Sequence, residues 1–141
     1  MESSIDFFIE DIDYQLDFKD ELSQWIIYSI SKELKTPGNL AIILCSDHYL
    51  HQINLQYLNH DTYTDIVTFD YSESTLISGD LFISIDRIKE NAKLHSVNEK
   101  DELHRVIIHG VLHLIGYKDK QPDDKKQMTL KEDFYLSLRQ F

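Results

Sequence analysis

Between Pro37-Gly38 and Ser46-Asp47 lies an unbroken apolar run, Leu40-Ala41-Ile42-Ile43-Leu44-Cys45. A run this short, with no polar alternation, reads as a strand buried on both faces, which needs other elements to cover it. The flanking segments supply them. Residues 17–35 read as a helix, because Leu22, Trp25, Ile26, Ser29, Ile30 and Leu34 recur near helical spacing, and Pro37-Gly38 is expected to stop it. Residues 5–10 suit a first strand, and Ser46-Asp47 caps a helix running to Leu58. Residues 63–71 and 76–85 are rich in β-formers and are joined by a polar turn at residues 72–75. They are expected to pair antiparallel, the second interrupted at Gly79-Asp80. Residues 86–96 suit a helix. Asn98 with Asp101 opens another, which carries Leu103, Val106, Ile107, Leu112 and Leu114 to Gly116. Pro122 starts a last helix, with Met128, Phe134, Leu136 and Leu138 on its buried side. This order predicts the α/β (α+β) class: one domain over residues 1–141, with a small mixed β-sheet packed by about five helices.

Composition narrows the function classes. The chain has 141 residues, 42% of them hydrophobic, so one packed core is within reach. A net charge of −11 argues against a broad, phosphate-driven nucleic-acid surface and leaves room only for a local site. One cysteine, Cys45, excludes an internal disulfide framework and reads as a small buried hydrophobe. No apolar stretch approaches the roughly 20 residues of a membrane span. Met1-Glu2-Ser3-Ser4 lacks a basic leader region, so a cytoplasmic setting is expected.

The chemistry concentrates in His109-Gly110-Val111-Leu112-His113-Leu114-Ile115-Gly116-Tyr117-Lys118-Asp119. Four helical residues rise about 6 Å, and positions i and i+4 share a face, so the two imidazoles can converge on one ion. Gly116 sits where a helix ends, and the chain can then return Asp119 to the same point. Two imidazoles and a carboxylate, with a fourth position for water, form a catalytic zinc arrangement. Unpartnered imidazoles among Ile107, Ile108, Val111, Leu112, Leu114 and Ile115 would carry a desolvation cost that a metal relieves. The spacing also equals the zinc half of a metzincin protease motif. Gly110, however, stands where those enzymes have their general-base Glu, which disfavours peptide hydrolysis by that route.

The same stretch resembles the signature His-Gly-x-Leu-His-Leu-x-Gly-Tyr-Asp-His of the YbeY family of metal-dependent endoribonucleases. His109, Gly110, Leu112, His113, Leu114, Gly116 and Tyr117 match it. Tyr63-Thr64-Asp65-Ile66-Val67-Thr68-Phe69 is similar to the family's Pro-Thr-Asn/Asp-Val-Leu-Ser-Phe strand, Gly79-Asp80-Leu81 to its Gly-Asp-Ile segment, and Leu58-Asn59 to its Leu-Asn. Together these blocks cover roughly residues 40 to 135. Two departures stand out. The family's third ligand histidine is Asp119 here, and the arginine that follows Leu-Asn is missing from Asn59-His60-Asp61-Thr62, leaving His60 as the nearest potential cation.

The resemblance implies a zinc-dependent endoribonuclease that cleaves single-stranded RNA in small-subunit ribosomal RNA maturation and ribosome quality control, with ribosomal RNA and ribosome or small-subunit proteins as partners. On this reading one Zn2+ is held by His109, His113 and Asp119. Arg105, one helical turn before His109, is the first candidate for a catalytic cation, in competition with a surface ion pair to Asp101 or Glu102. Lys118 is the second. Two other classes stay open: a metallopeptidase-like hydrolase, and a non-catalytic ribosome-assembly module with a structural zinc. Among the remaining polar residues, His48 and His51 are expected to face solvent, His95 to end a helix and His104 to point away from the pair. Asp65 and Asp80 are expected either to orient groups near the site or to serve turns.

Overall fold

The computed structural model describes residues 3–141 of the chain. Nine elements follow in order: β1 (Ser4–Ile9), α1 (Lys19–Lys32), β2 (Thr36–Cys45), α2 (Asp47–Leu58), β3 (Ile66–Asp70), β4 (Leu76–Ser84), α3 (Ile85–Leu94), α4 (Glu99–Ile115) and α5 (Pro122–Ser137). The four strands form one mixed sheet in the order β1-β2-β4-β3. β1, β2 and β4 run parallel, and β3 returns antiparallel to β4, as the short polar turn between them requires. The expected class, the single domain and the β3–β4 pairing are all present.

The apolar run is the centre of the sheet: Leu40, Ile42 and Leu44 are buried against helices on one face, beside Leu81 and Ile83 of β4. α1 lays Leu22, Trp25, Ile26 and Ile30 onto this face, and α4 adds Leu103, Val106, Ile107, Ile108, Val111, Leu112 and Leu114. The opposite face carries a smaller cluster of Cys45, Leu50 and Val67 beneath α2. Cys45 is fully buried, and burial with neighbouring acidic groups pushes its thiol up to about 12, so it is an inert core residue.

Several expectations are corrected. Pro37-Gly38 does not stop α1 but lies inside β2, near its start, next to a register irregularity between Pro37 and Leu40 that a proline suits. The helix ends earlier. The Lys35 N–H donates to Ile30 O and the Leu34 N–H to Ser31 O, with Leu34 in the left-handed region at φ 63°. Leu34 therefore leaves the apolar stripe and is 88% exposed. Gly79-Asp80 does not interrupt β4, which pairs with β2 and β3 at both residues. In α5 the buried positions are Met128, Glu132 and Tyr135, while Phe134 is 42% exposed. Trp25 is buried in the core, its indole N–H donating to Tyr135 O at 2.8 Å.

Gly110 explains how α4 reaches the sheet. A Cβ there would stand 2.7 Å from Ile66 Cδ1 and 3.1 Å from both Leu81 methyl groups. Its absence lets the helix axis settle onto β3 and β4, with the neighbouring His109 turned to the side.

Candidate metal centre

α4 begins on an Asn98 cap, whose side chain accepts from the Asp101 N–H, and it ends in a Schellman turn. The Tyr117 N–H donates to Leu112 O at 3.0 Å and the Gly116 N–H to His113 O at 3.1 Å. Gly116 takes φ 124°, a conformation a side chain would strain. This reversal sends residues 117–119 back along the helix, so that Asp119 faces the two histidines.

The three side chains meet. His109 Nε2 and His113 Nε2 are 3.0 Å apart, and Asp119 Oδ2 lies 3.3 Å from the first and 3.2 Å from the second. Bonds of roughly 2.0–2.2 Å to one tetrahedral ion would place its ligand atoms about 3.3 Å apart. The triangle has that size. Among the described residues, these three form the group of His, Cys, Asp and Glu whose ligand atoms lie mutually within reach of one ion.

The protonation pattern fits as well. His113 Nδ1 lies 2.9 Å from Tyr117 O, a carbonyl that can only accept, so Nδ1 carries the proton. His109 Nδ1 lies 2.6 Å from Glu132 Oε2 and donates to that carboxylate. With both Nδ1 atoms donating, both Nε2 lone pairs are directed at the same point. A carbonyl or carboxylate behind the distal ring nitrogen is how proteins fix a metal-binding imidazole. Burial alone would lower the pKa of His109, but the Glu132 carboxylate outweighs it and holds the pKa above the usual histidine value. The residues present therefore suit a divalent ion of zinc type: two imidazoles, one carboxylate, and an open side. Asp119 is 37% exposed at its side chain, so that side faces solvent.

Arg105 shares the face of His109, as expected, but its partners lie elsewhere than Asp101 and Glu102. It donates to Glu132 Oε1 at 2.8 Å and to Asp133 Oδ1 at 2.5 Å, both on α5. Glu132 is the residue the sequence reading missed. Its side chain is 9% exposed and joins Arg105 to His109. The signal lay in an acidic residue at a core position of α5, legible only once α5 is known to pack on α4.

The other titratable residues fall as follows. His104 is buried against Trp25 and Phe141, away from the pair. His48 is exposed, while His51 is half-buried, stacked on Tyr63 at 4.2 Å and 2.8 Å from Asp61 Oδ1. The expectation of a solvent-facing His51 is corrected: the loop after α2 folds back over it. His95 is exposed at the end of α3, and Lys118 is exposed beside the site. Asp65 lies within charge range of His109. Asp80 accepts from Tyr71 Oη at 3.2 Å, and it alternates with Gly79 and Leu81, which face α4, so it lies on the other side of the sheet. His60 is exposed on the loop before β3.

The family described as Endoribonuclease YbeY matches residues 5–139. A protein named Endoribonuclease YbeY from Cytophaga hutchinsonii is 52% identical over 141 residues, covering 99% of each chain. Another of that name from Karelsulcia muelleri is 54% identical over 114 residues, 81% of each chain. A solution structure of TM1509 from Thermotoga maritima superposes with a TM-score of 0.66 at 24% identity, covering 95% of this chain and 87% of that one. The likeness to that structure concerns the fold. The peptidase-like reading of the motif gains no support from these matches. The structure adds a reason: position 110 points into the sheet, where a glutamate could not reach the ligand triangle.

Proposed function

This chain belongs to the Endoribonuclease YbeY family, and from that premise we propose that it is a zinc-dependent, single-strand-specific endoribonuclease acting in the cytoplasm. Its substrate is ribosomal RNA, at the maturation of the small-subunit RNA and in ribosome quality control, and the whole chain serves as one catalytic domain that works beside ribosomal proteins. The observation that carries this reading is the closed triangle of His109 Nε2, His113 Nε2 and Asp119 Oδ2, each side near 3 Å.

In this proposal His109, His113 and Asp119 hold one Zn2+ per chain. Bound there, the ion supplies Lewis-acid chemistry to a phosphodiester. The protein's own residues set the geometry. Glu132 keeps His109 in the tautomer that offers Nε2, and the Tyr117 carbonyl does the same for His113. Arg105, expected from sequence to face the transition state directly, is engaged by Glu132 and Asp133, so its role becomes positioning through Glu132. Lys118, exposed and next to Asp119 in the chain, then becomes the candidate cation for a substrate phosphate. Gly110, with no side chain to move a proton, continues to argue against peptide hydrolysis.

The test compares cleavage of a single-stranded RNA by wild type, His109→Ala and Asp119→Ala, with an unstructured peptide as a parallel substrate. RNA cleavage by wild type alone, with the peptide intact, supports the proposal. Equal RNA cleavage in all three overturns it. Zinc binding without cleavage by any of them favours a non-catalytic assembly role.

A further inference from the structure

Beside the ligand loop lies a cluster of polar side chains that the site described above does not use. Glu33, at the C-cap of α1, brings its carboxylate into the interior with only 10% of its side chain exposed. It accepts from Tyr117 Oη at 2.5 Å, from Lys131 Nζ at 3.1 Å and from Tyr135 Oη. Burial alone would raise the carboxyl pKa, but these three donors outweigh it and hold it below the ordinary range, so the group is an anion. The tyrosine hydroxyls respond in the opposite sense. Burial and then the Glu33 anion push both Tyr117 and Tyr135 upward, so both remain proton donors.

Tyr117 is held at two ends. Its phenol is fixed by Glu33, and its backbone carbonyl accepts from Nδ1 of His113. It follows Gly116, which turns the chain out of α4 at φ 124°, and it precedes Asp119 by two residues. α5 contributes to both supports of the triangle. Lys131 and Tyr135 hold Glu33, and Glu132 holds His109. The ends of α1 and α4 and the body of α5 thus lock together at one carboxylate.

We propose that Glu33 is a positioning residue of the metal centre: by anchoring Tyr117 Oη it fixes the carbonyl that orients His113 and the loop that returns Asp119. This rests on the metal reading above and extends it to a residue 84 positions from Tyr117 in the chain. Without the anchor, the Tyr117 N–H still closes the helix end on Leu112 O, but the Tyr117 side chain and the carbonyl that follows it lose their hold on the Glu33 side. His113 then loses its tautomer lock, and Asp119 loses its distance to the two Nε2 atoms. Loss of such an outer partner typically weakens metal binding roughly 10- to 100-fold.

The experiment is a Zn2+ competition titration on the full chain, with visible absorption of bound Co2+ as a second readout of coordination and thermal unfolding of the metal-free proteins as a check on folding. The variants are Glu33→Ala, Tyr117→Phe, the double variant, and Tyr135→Phe. Tyr135→Phe removes one Glu33 partner and leaves the Glu33–Tyr117 link in place. Glu33→Ala and Tyr117→Phe are each expected to lose roughly 10-fold or more in Zn2+ affinity and to alter the Co2+ spectrum. The double variant should fall no further than the weaker single one, and Tyr135→Phe should bind near wild type. Wild-type affinity in Glu33→Ala, additive losses in the double variant, or an equal loss in Tyr135→Phe each overturn the positioning role. A wild type that binds no Zn2+ overturns the metal reading itself, so the two failures are separable.

Discussion

His104 and His109 are five residues apart on α4, and their surroundings drive them in opposite directions. His109 donates to a carboxylate and is held above the usual range, while His104 accepts from Arg139 Nη1 at 2.6 Å in a buried pocket. Burial, then the charges of Arg139 and Lys100, lower His104 to about 4. In the unfolded chain a histidine takes a proton near pH 6.5, whereas His104 in the fold does not until about pH 4. The unfolded state therefore binds more protons in this window, and stability falls as pH drops from about 6.5 towards 4. Between pH 7.5 and pH 5 the loss from this one residue should be about 2 kcal/mol. Denaturant unfolding at both pH values checks it: His104→Gln, which can still accept from Arg139, should show a smaller loss than wild type, and an equal loss would refute the assignment. Glu132→Gln makes a second prediction at this scale. Replacing the carboxylate behind His109 should weaken Zn2+ binding roughly 10-fold or more, measured by the same competition titration, and unchanged affinity would contradict its role. The meeting of His109, His113 and Asp119 was legible because i,i+4 spacing and a helix-stop glycine are local. Glu132 and Glu33 were not, because they act across 23 and 84 residues of chain respectively, on partners that only the packing of α1, α4 and α5 brings near.

At the level of elements, two helix ends solve one problem with different residues. α4 ends on Gly116 at φ 124°, and α1 ends on Leu34 at φ 63°. A non-glycine residue in the left-handed region costs about 1–2 kcal/mol. Leu34→Gly should therefore stabilise the protein by about 0.5–1 kcal/mol, since the exposed leucine side chain loses little packing. Gly116→Ala should destabilise by at least about 1 kcal/mol and disturb the loop that carries Asp119. Thermal denaturation of both variants checks this pair, and no change in either would count against the two turns. These ends also show why periodicity read α1 too long. The apolar spacing continues to Leu34, but the backbone has already reversed, so that Glu33 turns inward and Leu34 outward. In α5 the buried stripe runs Met128, Glu132, Tyr135, and one of its members is charged. A reading by hydrophobicity alone moves one residue along to Phe134, because nothing local marks Glu132 as paired.

Across the whole molecule, the mixed class and the β3–β4 pairing follow from the apolar run of β2, the turn between β3 and β4 and the helical segments between strands, all visible in sequence, whereas the order β1-β2-β4-β3 is set by packing. What sequence did not show is that three helices meet behind the metal triangle, which makes the site part of the fold's stability. Zn2+ at 100 times its dissociation constant should stabilise the folded chain by about 2.7 kcal/mol, and a chelator should remove that increment, as unfolding midpoints with and without the metal will show. With a net charge of −11, RNA binding must come from the local site, so affinity should depend weakly on salt. The most direct test of the account is elemental analysis of protein purified without chelator at near-neutral pH, wild type beside His113→Ala. One zinc ion per wild-type chain and none in the variant is the predicted result; a metal-free wild type, or equal metal in both, would contradict it.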